Sequence, residues 1–249
     1  TTNPSYPLKR LRMQDLITTG PNLISSFGGD ADPHTSVAIE KVAFIEKAAP
    51  PKQDGPGQIV GLTFRRYQLE MTSANGPWAA KISAFLHDVY AGELGYYETN
   101  DDLYIDDEFR ENTSYILALE DGEIVGLQGV ISCAQDYPLK RRVQGSAFLD
   151  ELGTAGVELR LLSIAKDRRK SAIFFAIVVG INHFLRADED MTFALTSSKA
   201  HNVELYGKIG FKTFAESEVF GSTSYHMHAS KATLMKRAER LLRFAARAK

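Results

Sequence analysis

The chain has 249 residues, 44% of them apolar and 24% charged, with a formal net charge of −2 and one cysteine, Cys133. This composition fits one sizeable globular domain, or one domain with an extension, and excludes wholesale disorder. A lone cysteine excludes an intramolecular disulfide and cysteine-rich zinc sites, and the longest apolar stretch, Ala172 to Ile181, is too short to cross a bilayer.

Residues 1–56 read as an N-terminal extension, net neutral and broken by Gly20-Pro21, Gly28-Gly29, Asp32-Pro33 and Pro50-Pro51. No charged region followed by an apolar run opens the sequence, so a reducing cytoplasm is the expected compartment. Residues 57–229 carry a net charge of −8 and a more regular pattern. Ile59 to Leu69 predicts a strand. Pro77 to Gly95 predicts a helix through Trp78, Ile82, Phe85, Leu86 and Val89. A polar, acidic loop follows over 101–111. Ser114 to Leu119 and Ile124 to Ser132, separated by Asp121-Gly122, predict a hairpin. Glu158 to Ile164 predicts a further strand, and Asp167 to Ala187 a helix whose apolar centre, Phe174 to Val179, demands burial on most sides. Thr192 to Thr196 predicts a short strand, Asn202 to Ile209 a short helix stopped by Gly210, and Phe211 to Phe214 and Ser224 to His228 two last strands. This order predicts an α/β fold with a mixed sheet, not a regular βαβ winding. Residues 230–249, with seven basic groups against Glu239, carry a net charge of +6 and predict an amphipathic helix. Its apolar stripe docks on the body, or its basic face meets an acidic partner.

Two stretches carry the chemistry. Glu158 to Ile164 leads through Arg168, Arg169, Lys170, Ser171 and Ala172 into the apolar helix, so unpaired N–H groups and three positive charges meet at one turn. Leu205-Tyr206 and Gly210-Phe211 then close a short helix before a strand. In this order the two stretches resemble the acyl-donor turn and the Leu-Tyr-x-x-x-Gly-Phe element of the GNAT acyltransferase superfamily, over roughly residues 58–229. The resemblance implies a mixed, mostly antiparallel central sheet flanked by helices, with the N-terminal extension and the basic C-terminal helix added. The family's turn reads Arg/Gln-x-x-Gly-x-Gly, whereas this chain has Ala172 and Phe174 where the glycines stand. With a bulky side chain there, either the turn is shaped differently or the donor lacks the nucleotide half of coenzyme A, as a phosphopantetheine arm on acyl carrier protein does. That branch is similar to acyl-homoserine lactone synthases and N-acyl amino acid synthases. The segment Val89 to Tyr96, Asp106 and Asp107, and Glu158 at the head of the central strand match its pattern. The arginine usual in the first helix of the lactone synthases is absent, His87-Asp88 standing in its region, which fits the N-acyl amino acid synthases better.

Acylation of an amine needs an uncharged nitrogen, a polarised carbonyl and a protonated leaving thiolate. Glu158 is the candidate base, its alternative being an ion pair with Arg160 on the same strand face. Tyr206 is the candidate acid, its alternative a half-buried aromatic. The resemblance implies that backbone groups of Leu162, Ser163 and Ile164 polarise the carbonyl and pair with pantetheine, while Arg168, Arg169, Lys170, Ser171 and Ala172 receive phosphate. Glu93, Asp106 and Asp107 either help bind an amine or form a solvated surface. His226 and His228, imagined with Asp30 or Asp32, are a weak metal pattern, and no metal is expected. Cys133 reads as a packed strand-end residue.

The leading expectation is therefore an N-acyltransferase that moves an acyl group from a phosphopantetheine thioester to the amine of a small molecule, in particular an amino acid. Acyl carrier protein is the expected partner and donor, acyl-coenzyme A the second choice, with no tightly bound cofactor. The competing readings are an acetyl-coenzyme A-dependent N-acetyltransferase and a non-catalytic module that binds an acyl ligand. Nucleic-acid binding is not expected, because the body lacks a broad basic face.

Overall fold

A computed structural model of the chain describes residues 62–169 and 171–247; the expected extension over 1–56 and the candidate Lys170 lie outside the described residues. One sheet of eight strands organises the rest, in the order β1-β2-β3-β4-β5-β6-β8-β7. The strands are β1 (Leu62–Phe64), β2 (Tyr67–Ser73), β3 (Ser114–Glu120), β4 (Glu123–Ser132), β5 (Gly156–Ile164), β6 (Phe193–Lys199), β7 (Lys212–Val219) and β8 (Ser222–Ser230). All neighbours are antiparallel except β5 and β6. The single strand expected from Ile59 to Leu69 is corrected to a hairpin. Phe64 pairs with Tyr67 across Arg65 and Arg66, and Arg65 takes a left-handed φ of 56° that no glycine or asparagine announces. In the β3–β4 hairpin, Asp121 (φ 52°) and Gly122 (φ 80°) are both left-handed, as the two-residue turn requires.

Helices α1 (Ala79–His87), α2 (Pro138–Arg142) and α3 (Ala147–Leu152) precede β5; α4 (Ile173–Ala187), α5 (Ala200–Ile209) and α6 (Lys231–Arg247) follow it. A π-helical turn over Asp88–Glu93 continues α1. Alternation along β3 divides the core. Ile116 and Ala118 face a cluster with Ile173, Ala176 and Ile177 of α4, while Tyr115, Leu117 and Leu119 face Ile82 and Leu86 of α1. A third cluster packs Tyr137, just before α2, and Leu139 of α2 against Ile131, Phe193 and Leu195. The first turn of α4 lies directly on β4 because Gly126 has no side chain; a Cβ there would sit 2.6 Å from Cγ2 of Ile173. In the described part of α6 the apolar stripe docks on the body and the basic face is left exposed. Leu234 and Ala238 are buried, Leu242 packs on the main core, and Lys236, Arg237 and Arg240 are exposed. Among the described residues no helix is long and apolar enough to cross a membrane.

Candidate active site

The site follows from how far two strands stay together. β5 and β6 pair only from Gly156–Phe193 to Leu159–Thr196. Beyond that point β5 remains bonded to β4 through Ser163 and Ile164, and β6 to β8 through Ser197, Ser198 and Lys199. The parallel pair therefore splays, and the backbone edges of both strands facing the split lack a sheet partner. A bulge sharpens the divergence. Leu161 and Leu162 together oppose Gln128 of β4, and Leu161 takes a φ of 56°. Buried Gln128 braces the bulge, donating from Nε2 to the carbonyl of Arg160 at 2.6 Å and to that of Gly129 at 3.1 Å. A cavity of about 280 Å³ occupies the split.

Glu158 lies on the cavity wall where the strands part, 1% exposed, and its Oε2 accepts the Leu139 N–H at 3.0 Å. Burial raises its carboxyl pKa; that hydrogen bond and the charges of Arg160 and Arg142 oppose the rise. The anticipated Glu158–Arg160 ion pair is not formed. Arg160 instead pairs with Asp107 at 2.7 Å, reaches the Thr113 hydroxyl at 3.2 Å and lies over the Phe109 ring. Asp107 is thus a buried structural partner, 7% exposed, and Glu158 makes no ion pair among the described residues.

Tyr206 of α5 lines the cavity from the β6 side, with its hydroxyl on Thr196 and its ring edge-on to Phe211 at 5.7 Å. Burial raises its pKa. Gly210, at φ 113°, ends α5 and lets the Phe211 N–H return to the Tyr206 carbonyl at 2.9 Å. Tyr90 of the π-helical turn lines the same cavity from the β5 side, its hydroxyl bonded to Ser163 and its pKa raised by burial. Leu162, Ser163 and Ile164 line it too; Ser163 Oγ donates to the Leu161 carbonyl at 3.1 Å.

The basic turn is largely occupied by internal partners. Arg169 grips both oxygens of Glu93 and donates from Nε to the Ile164 carbonyl at 3.2 Å, tying the π-helical turn to the end of β5. The Arg169 pairing lowers the Glu93 pKa. Arg168 pairs with Glu120 at 3.0 Å, and Ser171 Oγ donates to the Arg168 carbonyl at 2.6 Å. Ala172 immediately precedes α4. The cavity thus gathers Glu158, Tyr206, Leu162, Ser163, Ile164 and Arg169, whereas Arg168, Ser171 and Ala172 lie off its lining; Phe174 is on it.

Four participants have weak sequence signals. Gln128 and Tyr90 sit within otherwise apolar patterns. Asn202 lines the cavity with a buried side-chain oxygen that has no hydrogen-bond partner. Phe220, in the β7–β8 turn, lines the cavity, stacking on Tyr96 at 5.0 Å and meeting Tyr97 edge-on at 5.5 Å. Cys133 is buried off the cavity, its thiol pushed up to about 12 by burial. His226, fully buried, bridges Ser197 Oγ at 2.9 Å and Ser217 Oγ at 2.7 Å, while His228 packs on Phe148; Asp30 and Asp32 lie outside the described residues.

No protein-family model and no curated protein sequence matches the chain. Solved structures do. A CoA-dependent acyl-homoserine lactone synthase, BjaI, with SAM and isopentyl-CoA, superimposes with a TM-score of 0.56 at 16% identity, covering 70% of this chain and 89% of that one. A second CoA-dependent acyl-homoserine lactone synthase, MesI, gives 0.53 at 13% identity over 70% and 94%. An acyl-CoA N-acyltransferase from Pseudomonas aeruginosa gives 0.50 at 12% identity over 66% and 99%. The described domain has the fold of these acyltransferases, the GNAT-like architecture expected from its sequence.

Proposed function

We propose that the protein is an N-acyltransferase that moves an acyl group from a phosphopantetheine thioester to the amine of a small molecule, in particular an amino acid. The observation that carries this reading is the split between β5 and β6, with a buried carboxylate where it begins and phenols on both sides. An extended pantetheine arm adds to the free edge of β5 as a strand would, its amides meeting the backbone of Leu162 and Ile164. The orphan oxygen of Asn202 accepts a further amide N–H. Backbone N–H groups at the bulge face the thioester carbonyl and stabilise the oxyanion as it forms.

Glu158, with its raised pKa, takes a proton from the incoming ammonium. The freed nitrogen attacks the thioester carbon, the C–N bond forms and the C–S bond breaks. Tyr206 gives its proton to the departing thiolate and regains one from the nitrogen of the new amide, and Glu158 passes the proton it took to solvent, so the net change is thioester plus ammonium to amide, thiol and a proton. The isopentyl-CoA ligand of one structural neighbour and the acyl-CoA N-acyltransferase named for another support a thioester donor. Phe174, where a glycine would admit pyrophosphate, supports acyl carrier protein as the preferred form, with acyl-CoA second. Purified protein incubated with acyl-carrier-protein and acyl-CoA thioesters and mixed amino acids is expected to release free thiol and form amide, both read by mass. Turnover with neither donor removes the proposal. Turnover with acetyl-CoA alone makes the protein an ordinary N-acetyltransferase.

A further inference from the structure

Arg142, Arg160, Arg169 and Lys199 line the cavity beside one carboxylate, Glu158. Arg160 is neutralised by Asp107 at 2.7 Å and Arg169 by Glu93. Two cations remain. Arg142, in the last turn of α2, lines the cavity and is exposed there, and no hydrogen bond or ion pair joins it to any described residue. Lys199, at the end of β6, donates from Nζ to the carbonyls of Val219 at 2.6 Å and Ser222 at 3.0 Å. Those partners are neutral, and Lys199 forms no ion pair among the described residues, although Glu218 is near enough to favour its charge. Burial lowers the Lys199 pKa most, and the charge of Arg142, near enough to repel, lowers it further. The same guanidinium acts on the Glu158 carboxyl and on the His226 imidazole, so it overlooks the space that Glu158 borders.

Two like charges on the lining of one cavity repel, and an anion bound between them offsets that repulsion. We infer that Arg142, supported by Lys199, binds the carboxylate of the acceptor, so that the site selects an α-amino acid whose ammonium faces Glu158. The orientation of the amine rests on the acyl-transfer reading; binding of the carboxylate does not. A planar guanidinium with a free edge suits a carboxylate, and Glu158, on the lining of the same cavity, suits the amine of the same molecule. It follows that the acceptor's carboxylate is held as an anion and remains free in the product.

Arg142 is exposed and outside the apolar clusters, so Arg142→Gln and Arg142→Lys leave the fold intact. Phenylalanine, leucine and glycine are paired with phenethylamine, isopentylamine and methylamine, which lack only the carboxylate. Titration calorimetry without donor is expected to show at least one amino acid binding about tenfold or more tightly than its amine. Arg142→Gln should lose about tenfold to a hundredfold of that affinity, and Arg142→Lys should recover part of it. With donor present, kcat/KM for the amino acid should fall by a similar factor in Arg142→Gln, while that for the amine changes less than about threefold. Amines binding as well as amino acids, equal losses on both, or no binding within any pair overturns the carboxylate site. Carboxylate-dependent binding without amide formation leaves the site standing and removes the acyl-transfer reading. Amide formation indifferent to the carboxylate does the reverse.

Discussion

Glu158 and His226 are both nearly inaccessible to water, at 1% and 0% exposure, and burial drives each toward its uncharged form in opposite pH directions. A carboxyl whose folded pKa lies above its unfolded value binds protons more readily in the fold. Its contribution to stability is complete below the unfolded pKa and is lost as pH rises through the folded one. His226, lowered to about 4 from 6.5, behaves conversely: its neutral form stabilises the fold above the unfolded value, and that contribution is lost as pH falls toward about 4. Glu158→Gln keeps an oxygen for the Leu139 N–H but removes the buried charge. The variant should therefore be more stable than the wild type at neutral pH by about 1–2 kcal/mol, with the difference shrinking as the pH is lowered. Its acylation rate should fall by about a hundredfold or more, because the ammonium has lost its base. Thermal melts across pH, alongside single-turnover rates, check both halves. Loss of stability together with activity would mean that the Glu158 carboxylate is structural.

At the scale of elements, the cavity depends on one clamp. The π-helical turn Asp88–Glu93 carries Tyr90 to the β5 side of the split, and Arg169 fastens that turn to the end of β5 through Glu93. The side chains of Arg169 and Glu93 are only 10% and 17% exposed, so removing one partner strands the other in a poorly hydrated site. Glu93→Gln and Arg169→Gln should each cost about 2–3 kcal/mol in urea unfolding. The double variant should cost clearly less than their sum, a double-mutant cycle giving at least about 1 kcal/mol of coupling. Additive losses would show that the two residues act separately. This clamp also illustrates what the sequence hides. Arg169 was legible as a cation at the head of a buried helix, but its partner lies 76 residues upstream, beyond the reach of local pattern. The hairpin at Asp121-Gly122, the apolar helix α4 and the Gly210 stop were legible because each is written in adjacent residues. The Arg65-Arg66 turn was not, since no turn-forming residue marks it and its one trace is a slip in the alternation, Phe64 and Tyr67 standing three residues apart. Helices α2 and α3 are each a turn or two long, too short for a period to show. The split itself has no sequence signature, being the point where two strands cease to pair.

For the whole molecule, the division of charge bears on which donor is used. Lys236, Arg237, Arg240 and Arg243 are exposed on α6, while Leu234 and Ala238 hold that helix to the core. Arg141, by contrast, is taken up by Asp136 and Glu108, and Arg168 by Glu120. Among the described residues α6 thus presents four exposed cations with no ion pair, and Lys140 is exposed beside the cavity-lining Arg142. Acyl carrier proteins are acidic, and rim charges govern association more than the chemical step. Reversing Lys236, Arg237 and Arg240 to glutamate leaves the buried stripe untouched and should raise KM for an acyl-carrier-protein donor about tenfold or more. With acyl-CoA the same variant should keep KM within about twofold, since a small thioester needs only the cleft. Raising ionic strength from about 0.05 to 0.5 M should reproduce this asymmetry in the wild type, because screening acts on the docking of two proteins and far less on a buried arm. Equal salt dependence for the two donors, or a reversed helix that leaves both unchanged, would detach α6 from donor recognition and leave it a structural cap on α4.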